Sequence, residues 1–363
     1  MTNKNTLNNR IISLDILRVF LMLMIVWGHT SSIVVAKYWQ MSPFIFISDF
    51  CGPVAVGIFF LLSGYLASRK NRDLMYFIKK GINILLLIAV WGTIFCFSFL
   101  TATGKGFPSV GGLLNYTYNF FKVGGGFLWF GIIIALLYFL TPLVNLLLSK
   151  AYKSFLAILA SSIIVLNIFY YENLIKIFRL ESSFWLFQNT GSLKVLVGSF
   201  LSGFILYSLG VLIRAQKAEK IFTDIPNFIY ITIIFFSLAS LAYVSSSLSN
   251  ISGHLFVTYD RVNYILPLLA TSISIFIIFL KAKTEKLSAN LRDFIVALSL
   301  CCLGVYLLHL NLDTFYVNYI PLTFPFHKFS VDVIFKFVTI SALSFLIIYL
   351  LSKSPLKKLV SFS

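Results

Sequence analysis

The segment Ile11–Ser32, IISLDILRVFLMLMIVWGHTSS, decides how this chain is read, because it is apolar along its length yet carries Asp15, Arg18 and His29. In one α-helix turning about 100° per residue, His29 comes within about 20° of Arg18 around the axis and lies roughly 16 Å further along it. Asp15 precedes Arg18 by three residues and falls close to the same stripe. Ionisable groups in an apolar helix are costly to desolvate, so they face a protein interior or a watery cavity and are candidates for function. The plainer reading is that Asp15 and Arg18 pair near a helix end and snorkel, while His29 marks the opposite interface.

Composition names the solvent around this helix. The chain has 363 residues, 59% hydrophobic and 11% charged, with 39 Phe and a mean hydropathy of +0.93. A soluble domain carries about 25% charged residues. The expectation is an all-α polytopic membrane protein of about ten transmembrane helices of about 20 residues each, forming a single integral membrane domain over residues 1–363. The apolar segments are 11–35, 43–67, 78–100, 126–148, 155–171, 192–213, 226–246, 262–280, 293–312 and 332–352. The alternating dyads of a strand barrel are absent. The first segment is too long for a secretory signal and lacks a small-residue cleavage site.

The formal charge of +17 does not point to nucleic acid, because the basic residues lie between apolar segments. With the N-terminus inside, 19 of the 29 Lys and Arg fall at cytoplasmic ends and loops and 9 outside, Arg18 lying within a span. That bias follows the positive-inside rule and predicts both termini in the cytoplasm, in a plasma membrane protein. Cys51, Cys96, Cys301 and Cys302 have no CxxC spacing, and His29, His254, His309 and His327 are scattered, so no metal is expected.

Further candidates follow along the chain. Gly52, Gly57 and Gly64 in the second segment suit close helix contacts. After it, Arg69 and Arg72 share a helical face by their spacing, with Lys70 and Lys79–Lys80 nearby. An arginine fork binds phosphate, though a basic loop beside a membrane helix is ordinarily a topology anchor or a lipid contact. Trp129 lines an acceptor path or anchors at the interface, and Pro142 is read near a helix end. Residues 171–191 read as an interfacial helix or a lid. His254, Asp260 and Arg261 are an outer-side loop group, and His309 approaches the same side as His29, where a lone histidine is otherwise a structural hydrogen-bonding group.

LDILRVFLMLMIVWGHT, FFLLSGYLASRKNR, FLWFGIIIALLYFLTPL and VYLLHLNL, in that order, resemble the membrane-bound acyltransferase family 3 proteins, many of which acetylate cell-envelope or exported polysaccharides. The resemblance implies transfer of an acyl group, acetyl above all, from a cytoplasmic acyl-CoA to a hydroxyl of a glycan or lipid-linked glycan. It makes His29 the catalytic histidine, Arg18 (beside Asp15) a positioning group, and Arg69 and Arg72 the donor-binding pair. The family often places one residue between its two arginines, whereas this chain reads RKNR, which leaves open a share for Lys70. Acetyl-CoA is then the donor substrate, and membrane lipids and a second copy of the chain are further partners. A polysaccharide transporter or flippase and a noncatalytic membrane assembly protein are the rival classes. No appended soluble domain is expected after the tenth segment.

Overall fold

The computed structural model describes residues 10–38, 43–68, 72–102, 109–122, 128–177, 191–215, 218–252, 265–319 and 329–359. In chain order the helices are α1 (Ile12–Tyr38), α2 (Pro43–Ala67), α3 (Leu74–Ala102), α4 (Val110–Lys122), α5 (Trp129–Lys150), α6 (Tyr152–Ile177), α7 (Gly191–Ala215), α8 (Ala218–Asp224), α9 (Asn227–Ser252), α10 (Ile265–Lys281), α11 (Ala289–Tyr319) and α12 (Phe329–Lys353). The described residues contain no strand. Each of the ten apolar segments corresponds to one long helix, and α4 and α8 are additional. Over their described residues α1, α3, α5, α11 and α12 are long and apolar enough to cross a membrane, and five more helices carry shorter apolar stretches. Helices suit this solvent because lipid cannot satisfy backbone N–H and C=O groups, which a helix pairs internally.

Both faces of these helices are apolar, for different reasons. On α3, Phe77, Ile84, Ile88 and Trp91 are buried against protein, while Ile82, Leu86, Val90 and Ile94 point outward. A helix with that pattern belongs in lipid, not water.

The chain differs from its sequence reading in two helices. The fifth segment is longer than expected, since α6 runs for 26 residues. Residues 178–190, the core of the expected interfacial helix or lid, lie outside the described residues. Pro142 sits inside α5, well before Lys150, and its missing amide leaves the Tyr138 carbonyl without its usual helical donor.

α1 lies centrally, against α2, α10, α11 and α12. The tightest crossing is between α2 and α7. A Cβ on Gly64 would lie 1.9 Å from the Tyr207 carbonyl oxygen, and one on Gly210 would lie 2.0 Å from that of Leu61. Only glycine lets the two backbones approach so closely. Below this crossing the Arg214 guanidinium donates to Tyr65 Oη (2.8 Å) and Glu219 Oε2 (3.0 Å), and Tyr65 Oη donates to the same Glu219 oxygen (2.9 Å). The triad ties α2 and α7 to the short helix α8.

Candidate functional site

Two polar clusters lie on α1 and are shared with α11. At the Arg18 end, Arg10 grips Asp15 with a fork, Nε to Oδ2 at 2.9 Å and Nη2 to Oδ1 at 2.7 Å. Arg18 Nη1 donates to Asp15 Oδ1 at 3.1 Å and to Ser299 Oγ at 3.4 Å, and Ser299 Oγ donates to Asp15 Oδ1 at 2.6 Å. Asp15 is 3% exposed, so its charge is held by these donors rather than by water. Two guanidiniums share one carboxylate, which leaves the cluster net positive. Lys80 on α3 and Tyr138 on α5 lie within electrostatic range of both Arg18 and Arg72. Arg72 hydrogen-bonds Tyr76 Oη and lies 4.1 Å over a tyrosine ring, that of Tyr76 itself.

At the other end the rings of His29 and His309 are 5.2 Å apart between centroids and inclined by 45°. His309 is fully buried, and its Nδ1 lies 3.1 Å from the Val305 carbonyl oxygen one turn back. A carbonyl only accepts, so Nδ1 is a ring nitrogen that carries a proton. Thr30 and Ser31 bond back to Val26 O (2.9 Å) and Trp27 O (2.5 Å), satisfying their hydroxyls within α1.

Arg18 meets Ser299 and His29 meets His309, so α1 and α11 run parallel. Eleven residues on one helix and ten on the other cover the same roughly 16 Å at about 1.5 Å per residue. The shared stripe read from the sequence is thus the face α1 turns to α11.

Trp129 stands at the start of α5 beside Phe60 (6.5 Å between ring centroids) and Phe130 (6.3 Å). Phe130 meets Tyr306 at 5.5 Å and Tyr306 meets His309 at 6.2 Å. Aromatic contacts therefore link Trp129 to the histidine pair. Arg69 and Lys70, expected beside Arg72, and His254, Asp260 and Arg261 of the outer loop group lie outside the described residues. Among the described residues no cluster of three or more His, Cys, Asp or Glu could hold a metal ion.

Sequence reasoning missed Arg10, Ser299 and a buried ion pair. Lys336 Nζ on α12 lies 2.7 Å from Asp313 Oδ1 on α11, each side chain 1% exposed, and reaches the Thr30 carbonyl at 3.4 Å. By hydropathy the apolar segments end at 312 and resume at 332, which puts Asp313 in a loop and Lys336 at a span end. The helices run on to Tyr319 and start again at Phe329, so both charges lie inside helices. The rule that marked Arg18 and His29 would have marked them too.

No curated protein matches the chain. A family model for an acyltransferase domain, that of acyltransferase family 3, matches residues 11–353. That match spans every helix from α1 to α12 and takes in Asp15, Arg18, Ser299 and the two histidines, and the chain therefore belongs to the membrane acyltransferase family 3.

Proposed function

We propose that this protein transfers an acetyl group from acetyl-CoA to a hydroxyl of a cell-envelope or exported polysaccharide, or of its lipid-linked precursor, in the plasma membrane with both termini in the cytoplasm. The observation that carries the reading is the division of labour along the parallel pair α1 and α11: a net positive cluster at one end and two adjoining imidazoles at the other. Acyl-CoA is an anion with a long, thin pantetheine arm. Arg72 and Arg18, with Lys80 nearby and Arg69 and Lys70 beside them in sequence, supply the charge that its phosphates require. The arm then carries the thioester toward His29. Trp129, His309 and the loop group His254, Asp260 and Arg261 are assigned to the acceptor side.

In the direct route, His29 takes the proton of the acceptor hydroxyl as its oxygen attacks the thioester carbonyl carbon. The tetrahedral intermediate collapses with cleavage of the C–S bond, and the CoA thiolate leaves with the proton returned by the imidazolium. In the two-step route the imidazole nitrogen attacks the thioester carbonyl, the C–S bond breaks and CoA leaves as the thiol with the ring's proton; the acceptor oxygen then attacks the acyl carbon, the C–N bond breaks and the hydroxyl proton returns to the imidazole. Family membership favours acyl transfer over the transporter reading, which nothing in the fold supports.

The test is single-turnover transfer with purified protein in lipid, labelled acetyl-CoA and candidate glycans. The wild type is expected to turn over only with acceptor present and to add one acyl mass to the product. His29→Ala is expected to bind donor and to lose transfer, and near-wild-type transfer by that variant would refute both routes. A labelled protein adduct formed before acceptor addition, and absent from His29→Ala, selects the two-step route.

A further inference from the structure

The buried pair Asp313–Lys336 is expensive. Charges taken out of water in a helix bundle surrounded by lipid are repaid only by good geometry, and apolar residues of the same volume commonly hold a fold as well or better. Packing alone does not explain why two ionised side chains, each 1% exposed, stand here. Their placement does. Asp313 lies four residues after His309, one helical turn on, so it shares that histidine's side of α11. Lys336 Nζ, while paired to Asp313, is also 3.4 Å from the carbonyl oxygen of Thr30, the residue next to His29. Trp27 and Phe337 meet edge to face at 5.1 Å and brace the same crossing of α1 and α12.

The geometry points to Asp313 and Lys336 as positioning residues: through the Thr30 carbonyl they strap the turn of α1 that bears His29 to the turn of α11 that bears His309, and so set the spacing of the two imidazoles. This rests on His29 being the base or nucleophile of the transfer. Neither residue touches the reacting atoms. The ammonium is held between a carboxylate and a carbonyl, and its contribution is to stop α1 from sliding or rotating against α11. Apolar contacts resist such motion weakly in lipid, because lipid tails are as apolar as the side chains they replace.

A purely structural pair and a positioning pair respond differently to the same variants. Asp313→Leu/Lys336→Met removes both charges and keeps side-chain volume, so the protein is expected to stay monodisperse with an unchanged or higher melting temperature. Its kcat is expected to fall about a hundredfold while donor affinity stays within about twofold, as for a displaced reacting group. The swap Asp313→Lys/Lys336→Asp restores an ion pair but turns a carboxylate toward the Thr30 carbonyl, so it is expected to fold and to remain slow. Wild-type kcat in either double variant overturns the proposal. So does a double apolar variant that cannot fold while the swap folds and turns over, since the pair would then only hold the bundle together. His29→Ala is assayed alongside: if it is inactive and a double variant is fully active, only the strap fails, whereas an active His29→Ala removes the catalytic reading and the strap with it.

Discussion

Asp15 accepts hydrogen bonds from Arg10, Arg18 and Ser299 while almost wholly buried, and removing it strands two guanidiniums against an apolar bundle. Those guanidiniums keep partial access to solvent, so Asp15→Ala is expected to cost about 2–3 kcal/mol rather than the full penalty of an orphaned buried charge. Ser299→Ala removes a neutral donor and is expected to cost about 1 kcal/mol. Thermal unfolding in detergent, followed by loss of monodisperse protein, would rank the two, and the opposite order would show that Ser299, not Asp15, organises the cluster. Arg18 and Asp15 were legible in the sequence because they stand within one turn of each other on an apolar helix. Ser299 was not, because 281 residues separate it from Arg18 and a serine in a membrane helix has no signature. His309 was legible only as an isolated histidine. Its meeting with His29 depends on which helix lies beside α1, and helical periodicity holds no record of that.

Between elements, the closest test is the glycine crossing of α2 and α7. Gly64→Ala places a methyl group 1.9 Å from a backbone carbonyl that cannot swing aside, so the two helices must separate. The expected cost is about 3 kcal/mol or more, read as loss of folded yield. Gly111→Ala is the matched control. Its Cβ meets nothing within 4 Å, and the gain in helix propensity on α4 is expected to stabilise by about 0.5–1 kcal/mol. If both substitutions were neutral, the crossing would not be as tight as described. Tyr65→Phe deletes the hydroxyl that joins α2 to Arg214 and Glu219 but leaves that ion pair in place, so about 1 kcal/mol is expected, with faster amide exchange in α8. Gly64 was readable as a contact residue from the second apolar segment alone. α4 was missed because it follows a glycine-rich stretch and is only 13 residues long, about 20 Å, too short to span. Its ordering comes from contacts no local pattern announces, Phe120 on Phe95 and Tyr116 on Phe99.

At the scale of the whole molecule, one crossing by each of the ten long helices would return the chain to the side on which it began. Cysteines introduced at Asn3 and Ser361 are therefore expected to react with an impermeant thiol reagent from the same face, and labelling from opposite faces would mean an odd number of crossings. The ten long helices were legible because lipid imposes both length and apolarity on every crossing, whatever its neighbours. Their mutual arrangement was not, because helices apolar on both faces carry no mark of which face meets protein. The parallel pairing of α1 with α11 has a consequence for how the protein is made. The first helix to leave the ribosome waits for the eleventh before Arg18 meets Ser299 and His29 meets His309, so neither polar cluster is complete until nearly the whole chain has been synthesised. The charges are distributed to survive that wait. Arg10, Asp15 and Arg18 lie within nine residues, so Asp15 has both guanidinium partners as soon as α1 emerges and the charge there is reduced though not cancelled, whereas Asp313 and Lys336 sit on consecutive helices and can enter the bilayer together as a hairpin. Asp313 and Lys336 thus enter lipid as a compensated pair, and the meeting of His29 with His309 comes into existence only with the hairpin of α11 and α12.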